Sequence, residues 1–164
     1  MLIFLDTEFT GLSADPALIS LGLVSEDDRT FYAELTDTWD VESCDFFVQE
    51  NVLPLLEGGT LQVTWQELVE RLPTWISSFA EPVQAASDAV AWDWEWVQKA
   101  CYASGRWPHN LSHQPVSLPA GVAELDSACN HFESRQLRRH HALDDARAMR
   151  LGWLAAQAAQ LGPT

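Results

Sequence analysis

The chain opens on Leu2-Ile3-Phe4-Leu5, an unbroken apolar run of the kind found in a strand buried on both faces. Ala17 to Val24 and Thr30 to Leu35 read as two further strands, and the polar stretch Ser25-Glu26-Asp27-Asp28-Arg29 between them reads as a hairpin turn. Helical spacing then takes over. Phe46 to Leu56 predicts a short helix closed by Gly58-Gly59. From Thr64 to Phe79, Trp65, Leu68, Val69, Leu72, Trp75, Ile76 and Phe79 recur at three- and four-residue intervals. Thr64 with Glu67 three residues later makes a capping box for its start, and Pro73 is expected to interrupt or kink it. A strand over Pro82 to Ser87 leads into a helix over Trp92 to Ala103. Gly105, Pro108, Pro115 and Pro119 make 104–119 mostly loop. Helices over Val122 to Phe132 and Ala142 to Gln160 complete the chain. Strands first, then helices broken by one more strand, predict an α/β protein with a mixed sheet and helices packed on it.

Composition narrows the setting. At 164 residues the chain is one domain's worth, and 47% hydrophobic with 20% charged residues excludes a disordered tail. Cys44, Cys101 and Cys129 are odd in number, widely spaced and without a CxxC pair, which argues against a disulfide framework and a structural zinc site. Met1 to Leu5 lacks the length and basic flank of a signal peptide, and no apolar run reaches the ~20 residues of a membrane span. A cytoplasmic protein with no membrane partner is the expectation.

Charge complicates the choice of partner. The formal net charge is −15, which by itself argues against a nucleic-acid binder. The charge is graded, however. Residues 1–70 hold fifteen acids and one base, Arg29, whereas residues 135–164 hold Arg135, Arg138, Arg139, Arg147 and Arg150 against Asp144 and Asp145.

Two places carry candidate chemistry. Asp6 and Glu8 lie two apart at the carboxyl end of the first strand, so both project from one face, where open α/β sheets bind ligands. Such close like charges raise each other's pKa unless a cation neutralises them, and hard oxygen ligands favour Mg²⁺ or Mn²⁺. The plainer alternative is an exposed turn. The second place is Arg139-His140-His141-Ala142-Leu143-Asp144-Asp145. Asp145 shares a helix face with Ala148, Met149 and Gly152, which should pack on the sheet and hold its carboxylate at the sheet's edge. The helix dipole explains Asp144 fully and offers an alternative account of Asp145.

Taken together, Asp6-Thr7-Glu8-Phe9-Thr10-Gly11-Leu12 and His140-x4-Asp145 resemble the DEDDh 3′–5′ exonucleases of the ribonuclease H-like group. The family's middle motif, an Asp opening a helix after a strand, is matched best by Asp93 in Ser87-Asp88-Ala89-Val90-Ala91-Trp92-Asp93; its usual Asn is absent and Asp88 competes. The resemblance implies a five-stranded mixed sheet flanked by helices, a single exonuclease domain over 1–164, and two divalent cations, Mg²⁺ or Mn²⁺, held by Asp6, Glu8, Asp93 and Asp145. It implies His140 as general base, with His141 as its rival in the sequence.

For substrate, the resemblance implies that the Thr7 and Phe9-Thr10-Gly11-Leu12 segment covers the terminal nucleotide, with Leu12 wedged between bases. Trp92, Trp94 and Trp96 could stack on bases, or fill the core, the better reading for at least two of them. The five arginines, Arg139 among them, could line the phosphate path, or form a solvated face paired with Asp144 and Glu133. The short chain looks most like the small stand-alone ribonucleases of this group, such as the polyadenylate-trimming bacterial ribonuclease, which generally act as homodimers. A single-stranded RNA 3′ end is therefore the expected substrate, with nucleoside monophosphates as products. A DNA 3′–5′ exonuclease and a catalytically silent nucleotide- or protein-binding module are the alternatives. Net acidity is compatible with an enzyme that grips only a short 3′ end, and not with tight binding of long duplexes.

Overall fold

The computed structural model describes residues 1–120, 122 and 135–161. The strands are β1 (Leu2–Phe9), β2 (Leu18–Ser25), β3 (Thr30–Leu35), β4 (Gln62–Val63), β5 (Gln84–Ser87) and β6 (Val116–Ser117). The helices are α1 (Phe46–Asn51), α2 (Trp65–Ser77), α3 (Val90–Ala103) and α4 (Ala142–Leu161). They build a mixed sheet in the order β4-β3-β2-β1-β5-β6. β1, β2 and β3 are antiparallel neighbours, while β5 runs parallel to β1. Among the described residues the sheet has six strands rather than the five the resemblance implied: two-residue edges, β4 and β6, flank four longer strands.

β1 divides the two layers by its alternation. Ile3 and Leu5 join the core formed with Leu68, Leu72 and Ile76 of α2 and Val97 and Ala100 of α3. Phe4 faces the other way, onto Ala146 and Met149 of α4. Strand periodicity therefore sends Asp6 and Glu8 toward α4, and Thr7 toward α3.

Element bounds depart from sequence expectation where proline acts. α1 stops at Asn51, and the chain continues as a 3₁₀ turn over Leu53–Leu55, because Pro54 has no N–H to extend the α-helical ladder. Pro73 has no such effect: α2 runs on through it, with the ring buried beside Leu72 and Ile76. Burial of that apolar face outweighs the lost hydrogen bond. The expected capping box at Thr64 and Glu67 is present. The helix expected over 122–132 and the residues Cys129 and Glu133 lie outside the described residues, Val122 excepted.

One glycine sets the site's geometry. Gly22 of β2 sits opposite Asp6, and a Cβ there would come within 2.3 Å of the Leu143 nitrogen. The first turn of α4 therefore rests directly on the β2 backbone, which brings Asp145 over β1.

Candidate active site

Asp6, Glu8 and Asp145 each present a carboxylate oxygen within 4.8 Å of the others. They line a cleft of about 390 Å³ together with Thr7, Phe9, Leu12, Asp88, Ala89, Trp92, Asp93, Arg139, His140 and Met149. Residues from both ends of the chain and from its middle thus meet at the carboxyl end of β1, where strand chemistry placed the first pair.

The electrostatics of this cluster are unfavourable without a cation. Burial, then the charges of Asp93, Asp145 and Glu8, hold Asp6 well above the usual carboxylate range. Burial and the neighbouring Asp145 and Asp93 push Glu8 up to about 8. Burial likewise raises Asp145 to about 7, although the backbone N–H groups of His140 and His141 donate to it; the His141 bond is 3.1 Å. A set of hard oxygen donors crowded together at a cost to their own ionisation suits a divalent metal ion.

Asp93 lines the same cleft from the other layer, outside the group of three carboxylates that lie within 4.8 Å of one another. Thr7 Oγ1 donates to its Oδ1 at 2.7 Å, and Ser87 Oγ donates to its Oδ2. Burial raises Asp93 to about 6, and these two hydroxyls hold it below where burial alone would put it. Two accepted bonds leave lone pairs on both oxygens, so the carboxylate is oriented without being used up. Asp93 is buried, while Asp88 lies exposed at the rim of the same cleft. Ser87 supplies an orienting hydroxyl in a motif that lacks the family's Asn.

The two histidines separate clearly. His140 is exposed at the cleft with its ring edge-on to Phe47 at 4.9 Å, and its backbone takes the left-handed φ of +64°. Partial burial and Arg139 lower its pKa. His141 is buried against Tyr32, with ring centroids 4.6 Å apart, and its carbonyl accepts the Asp144 and Asp145 N–H groups that start α4. Its Nε2 lies 3.3 Å from Glu57 Oε1 but out of line for a hydrogen bond. Burial and Arg138 lower its pKa, so this is the contact of a neutral ring rather than an ion pair.

The remaining candidates divide as follows. Phe9 and Trp92 stack at 5.5 Å with their planes 19° apart, and Trp92 is 41% exposed. Trp94 and Trp96 are core residues at 6% and 8%. Leu12 projects at 77% exposure. Thr10 and Gly11 do not line the cleft. The Thr10 hydroxyl accepts the Ala17 N–H, its carbonyl accepts the Asp45 N–H, and a Cβ on Gly11 (φ +147°) would come within 2.6 Å of the Asp45 carboxylate. Both therefore shape the turn that presents Leu12.

Among the arginines, Arg139 lines the cleft. Arg138 and Arg147 pair with Asp144, and Arg150 donates to the Glu26 carbonyl. Asp144 is thereby more than a helix-dipole acid. Residues that sequence reasoning missed include Gly22 and Ser87. A lone glycine inside the apolar run Leu18–Val24 was the available signal, since such glycines mark close backbone approach.

No protein-family model matches the chain. Two curated 3′-5′ exoribonucleases of Mycobacterium tuberculosis, from strains CDC 1551 and H37Rv, are each 29% identical over 149 residues, spanning 88% of this chain and 86% of theirs. Among solved structures, the nuclease domain of 3′hExo, a DEDDh family member bound to rAMP, matches with a TM-score of 0.53 at 13% identity. That match covers 98% of this chain and 92% of the other and shows the shared fold. The chain is thus similar over most of its length to 3′-5′ exoribonucleases, shares the fold of a DEDDh nuclease domain, and carries a carboxylate cluster built from the motifs at both ends of the chain.

Proposed function

We propose that residues 1–164 act as one catalytic domain that removes nucleoside monophosphates from the 3′ end of single-stranded RNA. The observation that carries this reading is the Asp6, Glu8 and Asp145 cluster, half-buried, mutually repelling and lining a cleft of about 390 Å³. The names of the M. tuberculosis relatives favour RNA.

Asp6, Glu8 and Asp145, with Asp93 as the fourth carboxylate, would hold two divalent cations, Mg²⁺ or Mn²⁺. When bound, such ions supply Lewis-acid stabilisation of the charge that develops on the phosphoryl and leaving oxygens, and they acidify the attacking water. Thr7 and Ser87 donate to the two oxygens of Asp93 and fix its carboxylate beside the cleft. His140 accepts the proton of the attacking water. Its lowered pKa keeps the imidazole neutral at pH 7, the state a base requires. The stacked Phe9 and Trp92 rings offer an apolar platform for a base, Leu12 projects where it can separate neighbouring bases, and Arg139 meets phosphate charge.

The test is a time course on matched single-stranded RNA and DNA oligonucleotides with Mg²⁺, Mn²⁺ or chelator. Stepwise shortening of the RNA from its 3′ end, faster than of the DNA and absent with chelator, is expected. Preference for DNA would replace the RNA reading by a DNA exonuclease. Failure to cleave either strand would leave a silent nucleotide-binding module.

A further inference from the structure

Beside the cleft lies a second polar cluster for which the proposed chemistry has no use. Glu34 of β3 is buried, and among the described residues no cation forms an ion pair with it. Its Oε1 accepts the Glu57 N–H at 2.6 Å and the Tyr32 hydroxyl at 3.0 Å, and its Oε2 accepts the Gly58 N–H at 2.8 Å. Glu57, fixed by its backbone, accepts from Arg138 Nη2 at 2.7 Å. Arg138 Nε in turn donates to Asp144 Oδ2 at 2.7 Å, and its backbone N–H reaches the same oxygen at 3.2 Å. The Asp144 N–H donates to the His141 carbonyl at 2.8 Å. The His141 ring then packs on Tyr32, which returns to Glu34. The contacts close into a ring that ties β3, the 57–58 loop and the segment leading into α4.

His140 sits between two members of that ring, Arg138 and His141. It holds a left-handed backbone, φ +64°, which is uncommon for a residue with a Cβ. Its own side chain is exposed, so its aim depends on how its flanks are held. We propose that the Glu34–Glu57–Arg138–Asp144–His141–Tyr32 ring is the device that fixes His140 over the cleft, with Glu34 and Arg138 as positioning residues. The inference rests on the reading of His140 as the base. Burying a carboxylate in β3 costs more than an apolar side chain of the same size would, and the return for that cost is geometric: one acid orients two backbone N–H groups and a phenol.

The experiment compares Arg138→Ala, Arg138→Lys and Glu34→Gln in the wild-type and His140→Ala backgrounds. Arg138 is half-exposed, so its variants should fold even if Glu34→Gln does not. In the wild-type background, Arg138→Ala should lower kcat about tenfold with KM and divalent-ion affinity unchanged, and Arg138→Lys should recover part of the loss. In the His140→Ala background, Arg138→Ala should cost nothing further. In the metal-free protein, the amides of His141, Asp144 and Asp145 should exchange hydrogen faster in Arg138→Ala while those of β1 and β2 stay protected. An equal loss in both backgrounds, or unchanged amide exchange, would overturn the proposal. Wild-type turnover in His140→Ala itself would instead overturn the base assignment, and the exchange measurement alone would then decide whether the ring holds the segment.

Discussion

Two sets of carboxylates, one buried and one half-buried, meet at the first turn of α4, and the protein treats them oppositely. Glu34 and Asp144 are answered from within. Backbone N–H groups and a tyrosine hydroxyl meet the first, and Arg138 and Arg147 meet the second. The pKa of Asp144 is lowered, with Arg138 outweighing burial. At Asp6, Glu8 and Asp145 burial wins, even though Arg139 and two backbone N–H groups favour the Asp145 carboxylate, and all three are raised. An acid that a protein buries and pairs belongs to its architecture. Acids that it buries together with raised pKa values mark the place of a ligand that carries the missing positive charge.

The contrast breaks most sharply by mutation. Asp6→Asn or Asp145→Asn should cost about 10³-fold or more in turnover, if each removes a ligand of the proposed divalent metal site. Each should also leave the metal-free protein as stable as wild type or more so, because a like charge is removed from a crowded site. Asp144→Asn should do the reverse, lowering stability by about 1–3 kcal/mol because its arginine partners are half-exposed, with only about a tenfold loss of turnover. Denaturant melts and steady-state rates on the same preparations check both halves.

Gly22→Ala attacks the seat shared by the two clusters. A methyl there meets the Leu143 backbone and must lift α4, moving Asp145 and His140 together. About 1–3 kcal/mol of stability and about 100-fold in turnover should be lost. Trp92→Ala touches neither cluster. It should raise KM roughly tenfold through the lost stacking platform, with metal affinity unchanged by calorimetry.

The smallest effect is also the most diagnostic. In the metal-free protein Glu8 titrates near 8, Asp145 near 7 and Asp93 near 6, all above their ordinary values. The folded state then binds more protons than the unfolded state between about pH 4 and pH 8, so these groups contribute stability that grows as pH falls through that window. Asp144, lowered instead, contributes stability that is lost only below about pH 4. A divalent cation competes with the protons at the first set. Its stabilising shift in melting temperature, a few degrees, should be largest near pH 8 and fade toward pH 5.

What was legible in the sequence follows the same division. Strand and helix positions showed in apolar runs and in three- and four-residue spacing, since burial imposes those periods. Strand and helix geometry put Asp6, Glu8 and Asp145 on predictable faces, His140 was singled out by the spacing of the motif it resembles, and the cleft contains all four. Glu34 was hidden because its partners, the Glu57 and Gly58 amides, are brought to it only by the tertiary fold. The arginines were undecided for a like reason: Glu57 and the Glu26 carbonyl, which occupy Arg138 and Arg150, lie 81 and 124 residues away. Thr7, read as a substrate contact from its place in the motif, lines the cleft, and its hydroxyl also donates to Asp93, a bond that only the tertiary fold brings about.

The most direct measurement is the length ladder of a 5′-labelled single-stranded RNA incubated with the wild-type protein and with Asp145→Asn, each with Mn²⁺ or Mg²⁺ and with chelator. The wild type with metal should shorten the strand one nucleotide at a time from the 3′ end, and the other three conditions should leave it intact. Cleavage that persists in chelator, or that survives Asp145→Asn at the wild-type rate, would contradict the account.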